Sequence, residues 1–164
     1  MIRHKQIMTG LDLAGQLMEA CDYFTGVPDG ALKTIFRNVK PYYPSPREDH
    51  ALAMAFGARM VGKRPGVFMQ NSGVGYIGDV LLGLTTLYKT GVIMVVGCRG
   101  EFENEEPQHQ AWGFTRTRRI LQTYGVVCYD LIEKENVVLR AADTAWRLNR
   151  PVAILIRRGV VDEN

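Results

Sequence analysis

The sequence predicts an α/β domain, a mostly parallel sheet flanked by helices on both faces. Three observations predict it. Short apolar runs rich in β-branched residues alternate along the chain with segments of helical period. The run Val92-Ile93-Met94-Val95-Val96 shows no polar alternation, as expected of a strand buried on both faces of a parallel sheet. Glycine clusters fall where a strand hands over to a helix.

Each element has a local reason. Residues 11–20 place Leu13, Leu17 and Ala20 at helical spacing behind Thr9, a capping residue. Residues 22–25 read as a short strand, 26–30 as a turn and 31–36 as a short helix. Prolines at 41, 44 and 46 keep 41–46 extended, because each disfavours helical backbone at the residue before it. Over 48–61, Ala51, Ala55 and Ala58 recur at helical spacing. Gly57 lies inside that helix, lowers its propensity, and is expected to allow a close contact. Residues 66–70 form a buried strand, 71–75 a turn and 77–87 a helix. After the strand at 92–96 come an aperiodic loop over 97–110, a helix from 112 or 115 to 122, and a strand at 126–129. A helix over 133–148 and a strand at 152–156 follow, and the tail 162–164 is expected to fray. No boundary or repeat interrupts the pattern, so 1–164 reads as one domain.

Composition sets limits. The 164 residues are 46% hydrophobic and 23% charged, ordinary for a globular protein. A chain of this size buries roughly 69% of its extended surface. No run approaches the ~20 apolar residues of a membrane span. The start Met1-Ile2-Arg3-His4-Lys5-Gln6 is basic with no long apolar run behind it, so neither a membrane nor a signal peptide is expected. Lys plus Arg is 20 and Asp plus Glu is 17, a net charge of +3, with the two signs interspersed, so no nucleic-acid partner is expected. Cys21, Cys98 and Cys128 are far apart in sequence, form neither a disulfide framework nor a metal pair, and fit a reducing, cytoplasmic setting.

In an open α/β sheet, ligands bind beyond the C-terminal strand ends. Three loops lie there. The first is Gly26-Val27-Pro28-Asp29-Gly30, and the second is Asn71-Ser72-Gly73-Val74-Gly75, which resembles an anion-binding nest of amides. The third, 97–110, carries Arg99, Glu101, Glu103, Glu105, Glu106, Gln108 and His109. Gly73, Gly75 and Gly78 satisfy G-x-G-x-x-G, but no acidic residue ends the next strand, and the same glycines would serve a tight strand-to-helix turn. His109 with Glu105 and Glu106 has metal-ligand chemistry at a spacing too common to assign a metal. Cys98 with His109 as base would make a nucleophile; the alternative is an inert buried thiol at a strand end. Glu48 is either a partly desolvated carboxylate held at the sheet edge or a first-turn glutamate stabilised by the helix dipole.

Several of these segments together carry a resemblance. They are Thr25-Gly26-Val27-Pro28-Asp29, Glu48 before an alanine-rich helix, Met69-Gln70-Asn71-Ser72-Gly73-Val74-Gly75, Arg99-Gly100 and Glu105-Glu106-Pro107-Gln108-His109. They resemble the pyrimidine-binding domain of thiamine-diphosphate decarboxylases, nearest to the sulfopyruvate and phosphonopyruvate decarboxylases. The likeness spans about residues 8 to 157 and displaces the dinucleotide reading. It implies the thiamine-diphosphate-binding fold, with 1–164 as one pyrimidine-binding domain. It implies that Glu48 is the cofactor-activating glutamate. A carboxylate bonded to the pyrimidine N1′ favours the imino tautomer, which takes the thiazolium C2 proton; the cofactor then serves as electron sink when a 2-keto acid loses carbon dioxide. It further implies cofactor-bordering positions at Gly26, Val27, Pro28, Asn71, Ser72 and Gly73, and substrate-side positions at Asp29, Asn71, Arg99, Gln108 and His109. His109 would bind the substrate anion or shuttle a proton.

The departures from the family pattern touch the substrate side: Gly30 where serine is usual, Asp49-His50 where glycine follows the glutamate, and Tyr76 where asparagine is common. The chain has no Gly-Asp-Gly, the mark of the half that holds Mg²⁺ and diphosphate. The resemblance therefore implies a beta-subunit partner carrying that half and its Mg²⁺, no metal on this chain, and a hetero-oligomer with more than one copy of each. The chain is similar to the alpha subunit of a split sulfopyruvate decarboxylase, which forms sulfoacetaldehyde and CO2. Phosphonopyruvate or another anionic 2-keto acid is the alternative substrate. A non-catalytic partner-binding domain is the alternative class, against which Glu48 argues.

Overall fold

The computed structural model describes residues 8–102, 104–132 and 136–161. The basic start 1–6, Glu103, the expected helix start at 133 and the tail 162–164 lie outside the described residues. Six strands form one sheet: β1 (Tyr23–Gly26), β2 (Tyr42–Pro44), β3 (Pro65–Gln70), β4 (Val92–Cys98), β5 (Val127–Asp130) and β6 (Pro151–Arg157). Their spatial order is β2-β1-β3-β4-β6-β5, and every adjacent pair is parallel. The helices are α1 (Gly10–Ala20), α2 (Lys33–Phe36), α3 (Glu48–Met60), α4 (Gly78–Val80), α5 (Pro107–Gln110), α6 (Phe114–Thr123) and α7 (Val137–Ala142).

The strand pleat sorts side chains into two cores. Phe68, Ile93, Val95, Val152 and Ile154 face α1, α2 and α7, where they meet Leu13, Leu17, Ile35, Val138 and Ala141. Val67, Met69, Val92, Met94, Val96, Ala153 and Leu155 face α3 and α6, where they meet Leu52, Ala55 and Leu121. Both faces of β4 are thus buried, as its unbroken apolar run predicts. Thr9 caps α1 through its Oγ1, which accepts the Asp12 N–H at 3.1 Å.

Four expectations need correction. Among the described residues, nothing lies within 4 Å of a Cβ built at Gly57, so the expected close contact is not seen there. The helix read over 77–87 is α4 followed by a π-helical turn, Leu81–Thr86, and the helix read over 133–148 is α7 followed by a π-helical turn, Asp143–Arg147. Apolar periodicity does not separate 3.6 residues per turn from the wider π geometry over so few turns. The loop over 97–110 is not wholly irregular: β4 runs on to Cys98, and Pro107 opens α5. The segment 41–46 is extended as expected, and its residues Tyr42–Pro44 join the sheet as the edge strand β2.

This topology positions the site. The chain leaves β1 toward β2 on one side and leaves β3 toward β4 on the other, although β1 and β3 are neighbours. Divergent loops open a crevice above the C-terminal ends of that pair. Among the described residues, no helix is long and apolar enough to cross a membrane.

Candidate active site

Glu48 is held by backbone work on both sides of the crevice. The Gly26 carbonyl, at the end of β1, accepts the Ser45 N–H at 2.9 Å and the Tyr42 hydroxyl at 3.0 Å. Ser45 Oγ donates to the Arg47 carbonyl at 3.0 Å and also lies 2.8 Å from His50 Nδ1. The entry to α3 is thereby fixed, and Glu48 is its first residue. Its half-buried carboxyl lies on Gly73: a Cβ built there would stand 2.4 Å from Glu48 Cγ and 2.6 Å from Oε1. Glu48 is both a first-turn glutamate in the field of the α3 dipole and a carboxylate wedged between two loops.

The second loop, Asn71–Gly75, is a 3₁₀ turn directly after β3. The Asn71 side chain is fully buried and engaged within the chain. Its amide donates to the Arg99 carbonyl (2.9 Å) and to Thr117 Oγ1 (3.2 Å), and its Oδ1 accepts the Arg99 N–H (3.3 Å). Ser72 Oγ accepts from the Gln70 amide at 2.8 Å. Gly75 and Gly78 pack on Trp112 and Tyr124, so the G-x-G-x-x-G pattern is a packing pattern here.

Asp29 and Arg99 meet each other. Arg99 Nη2 donates to Asp29 Oδ1 at 2.8 Å, with the Asp29 side chain 4% exposed. Asp29 Oδ2 faces Gly97, and neither it nor Arg99 Nε has a hydrogen-bond partner among the described residues. Buried orphan polar atoms destabilise a fold, and they mark places worth a functional reading. Among the described residues, the Arg99 guanidinium pairs with Asp29 and with no carboxylate of the acidic loop. Val27 donates its N–H to the Phe68 carbonyl at 3.0 Å, and Pro28 is exposed at the turn.

In the third loop the buried Glu105 turns its carboxylate onto backbone amides, and Gln108 is exposed while His109 is half-buried. Among the described residues, no hydrogen bond or ion pair joins either side chain to Glu48, and no three His, Cys, Asp or Glu side chains converge as metal ligands. Cys98 is 1% exposed, and burial pushes its thiol far above the usual range, which removes the nucleophile alternative. Two of the departures form one cluster: Arg47 bonds Asp49 (3.1 and 2.8 Å) and lies 5.3 Å over the Tyr76 ring. The Arg47 guanidinium holds the Asp49 carboxyl below its ordinary range. Sequence reasoning missed the clasp at the ends of β5 and β6. There Arg157 pairs with Asp130 (2.7 Å) and Glu101 (3.4 Å), and Arg158 with Glu105 (3.7 Å). The only signal was Arg157-Arg158 directly after an apolar run.

No protein-family model matches the chain. Curated relatives do. The chain is 31% identical over 152 residues to the sulfopyruvate decarboxylase subunit alpha of Methanothermobacter thermautotrophicus, covering 87% of this chain and 91% of that one. It belongs to the sulfopyruvate decarboxylase alpha-subunit family. The Methanococcus maripaludis relative of the same name is 24% identical over 143 residues, covering 82% of this chain and 85% of that one. Members of this alpha-subunit family carry a designation that implies a partner subunit. Two solved structures share the fold. A 2-oxoglutarate:ferredoxin oxidoreductase from Magnetococcus marinus matches with a TM-score of 0.70 at 16% identity, over 93% of this chain. A protein assigned as a thiamin diphosphate-dependent enzyme of Mycobacterium smegmatis matches with a TM-score of 0.65 at 20% identity, over 91%. This chain spans 29% and 30% of those two chains, so the alpha-subunit fold corresponds to under a third of each.

Proposed function

We propose that this chain supplies the Glu48 half of a thiamine-diphosphate decarboxylase whose substrate is an anionic 2-keto acid, sulfopyruvate first. The observation that carries the reading is the Glu48 carboxyl set on Gly73 at the switch point. The relatives' name supports the substrate. When bound between subunits, the cofactor would supply the electron sink that decarboxylation needs. Glu48 would hold the pyrimidine by sharing a proton with its ring nitrogen, and Gly26, Val27, Pro28, Ser72 and Gly73 would border that ring. The neutral Asp29–Arg99 pair offers directed N–H donors to the anionic tail, with Asn71 fixing the Arg99 backbone. Gln108 and His109 close the substrate side, His109 as the proton carrier. Mg²⁺ and diphosphate belong to the partner, and the assembly holds more than one copy of each chain in the cytoplasm.

The test is reconstitution. This chain, co-expressed with its diphosphate-binding partner and given thiamine diphosphate and Mg²⁺, is expected to release CO2 from sulfopyruvate faster than from phosphonopyruvate or pyruvate. An assembled complex that releases none from any of the three overturns the reading.

The partner's seat is proposed beside Glu48. α3 exposes Ala53, Gly57 and Met60 on one face, the π-helical turn after α4 exposes Leu82, and the turn that follows exposes Leu87 and Tyr88; Phe56 and Tyr88 join the two segments with ring centroids 5.5 Å apart. A large exposed apolar face of this kind marks an interaction site. Gly57, whose built Cβ meets nothing within 4 Å among the described residues, would admit close approach. Gly57→Glu is expected to abolish co-purification of the partner while leaving the melting temperature of this chain within ~3 °C, a surface-sized change. Normal complex formation on gel filtration would place the seat elsewhere.

A further inference from the structure

The third loop is folded around its own carboxylate. Glu105 Oε2 accepts three consecutive backbone N–H groups, from Gly100 (2.8 Å), Glu101 (2.9 Å) and Phe102 (3.0 Å). Three amides converging on one oxygen make an anion nest, here filled from within the chain. The Glu105 side chain is 2% exposed, and its Oε1 has no hydrogen-bond partner among the described residues but lies 3.7 Å from Arg158 Nη1. The Glu105 backbone is engaged as well: its N–H donates to the Phe102 carbonyl (3.0 Å), and its carbonyl accepts the Gln110 side-chain amide (2.7 Å).

These bonds tie together residues proposed for substrate binding. Gly100, at φ +92°, lies so close to the His109 carbonyl that a Cβ would stand 1.9 Å from it. The same Gly100 follows Arg99, whose backbone Asn71 grips from the opposite side. Residues 99–102 are thus held between Asn71 and Glu105, and α5 rests on them. Glu48 is fixed by other contacts, through Gly73.

The geometry points to Glu105 as the positioning residue of the substrate-tail subsite: its carboxylate fixes Gly100, Glu101 and Phe102, and through them the height of Arg99 above the sheet. This rests on the decarboxylase reading. Removing the acceptor should loosen contacts made equally to the bound substrate and to its transition state, which raises KM and spares kcat.

The experiment uses the complex reconstituted with the partner subunit. Glu105→Gln keeps the size and one acceptor oxygen but removes the charge, which weakens the three charge-assisted bonds from Gly100, Glu101 and Phe102 and turns N–H donors toward Arg158. The expected result is a KM for sulfopyruvate raised at least ~10-fold, with kcat and the half-saturating thiamine diphosphate concentration changed less than ~3-fold. Amide hydrogen exchange over 100–102 should quicken at least ~10-fold. An unchanged KM overturns the proposal, and so does a parallel fall of kcat, cofactor affinity and KM performance. Should Glu105→Gln fail to assemble, Glu105→Ala is assayed with added formate. Saturable recovery of activity supports the proposal, and no recovery overturns it. If the wild-type complex releases no CO2 from any keto acid, the decarboxylase reading falls on its own. Exchange over 100–102 then still decides the positioning role, with no acceleration counting against it.

Discussion

Glu48→Gln is expected to lower kcat for CO2 release from sulfopyruvate by roughly 10³-fold, about 4 kcal/mol of barrier. The side chain keeps its size and its seat on Gly73, so the packing that holds it survives. What is lost is the acidic proton that a carboxyl shares with a ring nitrogen; an amide offers N–H and C=O groups of far weaker acidity and basicity. The loss should therefore appear in kcat rather than in assembly. Gel filtration of the complex should be unchanged, and the half-saturating thiamine diphosphate concentration should move by less than ~10-fold, the order expected when one hydrogen bond is weakened. A variant as active as the wild type would remove Glu48 from the chemistry. A variant that fails to assemble would make Glu48 a docking residue instead.

How much of this was legible in the sequence depended on the range of the interaction. The strands other than β2 were legible because their signals are short and local; the apolar run at 92–96 marks β4, buried on both faces. The helix behind Glu48 was legible from its alanine spacing, but Gly57 was misjudged: an isolated glycine reports a need for space without saying whether the neighbour lies in the same chain. The three loops were placed at the strand ends, and the structure joins two of their residues, Asp29 and Arg99, 70 positions apart. That pairing was not legible, because either residue could have faced a ligand or the other loop. Glu105 was legible only as part of an acidic stretch. Its role comes from the chain turning back so that three of its own amides face one oxygen, a tertiary fact with no residue-type signature. Asp49, His50 and Tyr76 stood out as separate departures. Only Arg47, which bonds Asp49 and stacks on Tyr76, shows the first and last to be one feature.

Gly73→Ala gives the second large effect, and it isolates geometry from chemistry. The added Cβ would lie 2.4 Å from Glu48 Cγ and 2.5 Å from Cδ. Carbon atoms settle near ~3.5 Å or beyond, so one side must retreat by about 1 Å. The Asn71–Gly75 turn has little freedom, because Asn71 is bonded to Arg99 and Thr117. The Glu48 side chain, rotatable and only half-buried, is the part that moves. A carboxylate displaced by about 1 Å is expected to lose roughly 10²-fold in kcat, since reacting groups must be held to about 0.5 Å. The fold should survive, with a melting temperature lowered by no more than about 5 °C. Gly75→Ala is the control: its Cβ would meet only the edge of the Trp112 ring, at 3.0 to 3.3 Å, and should cost less than ~10-fold. The deciding measurement is the double variant. If Gly73 acts through the Glu48 carboxyl, Gly73→Ala added to Glu48→Gln should slow turnover by no more than ~3-fold further, because the group it displaces no longer contributes. A full 10²-fold loss in that background would mean that Gly73 shapes the crevice for the cofactor directly and that its contact with Glu48 is incidental.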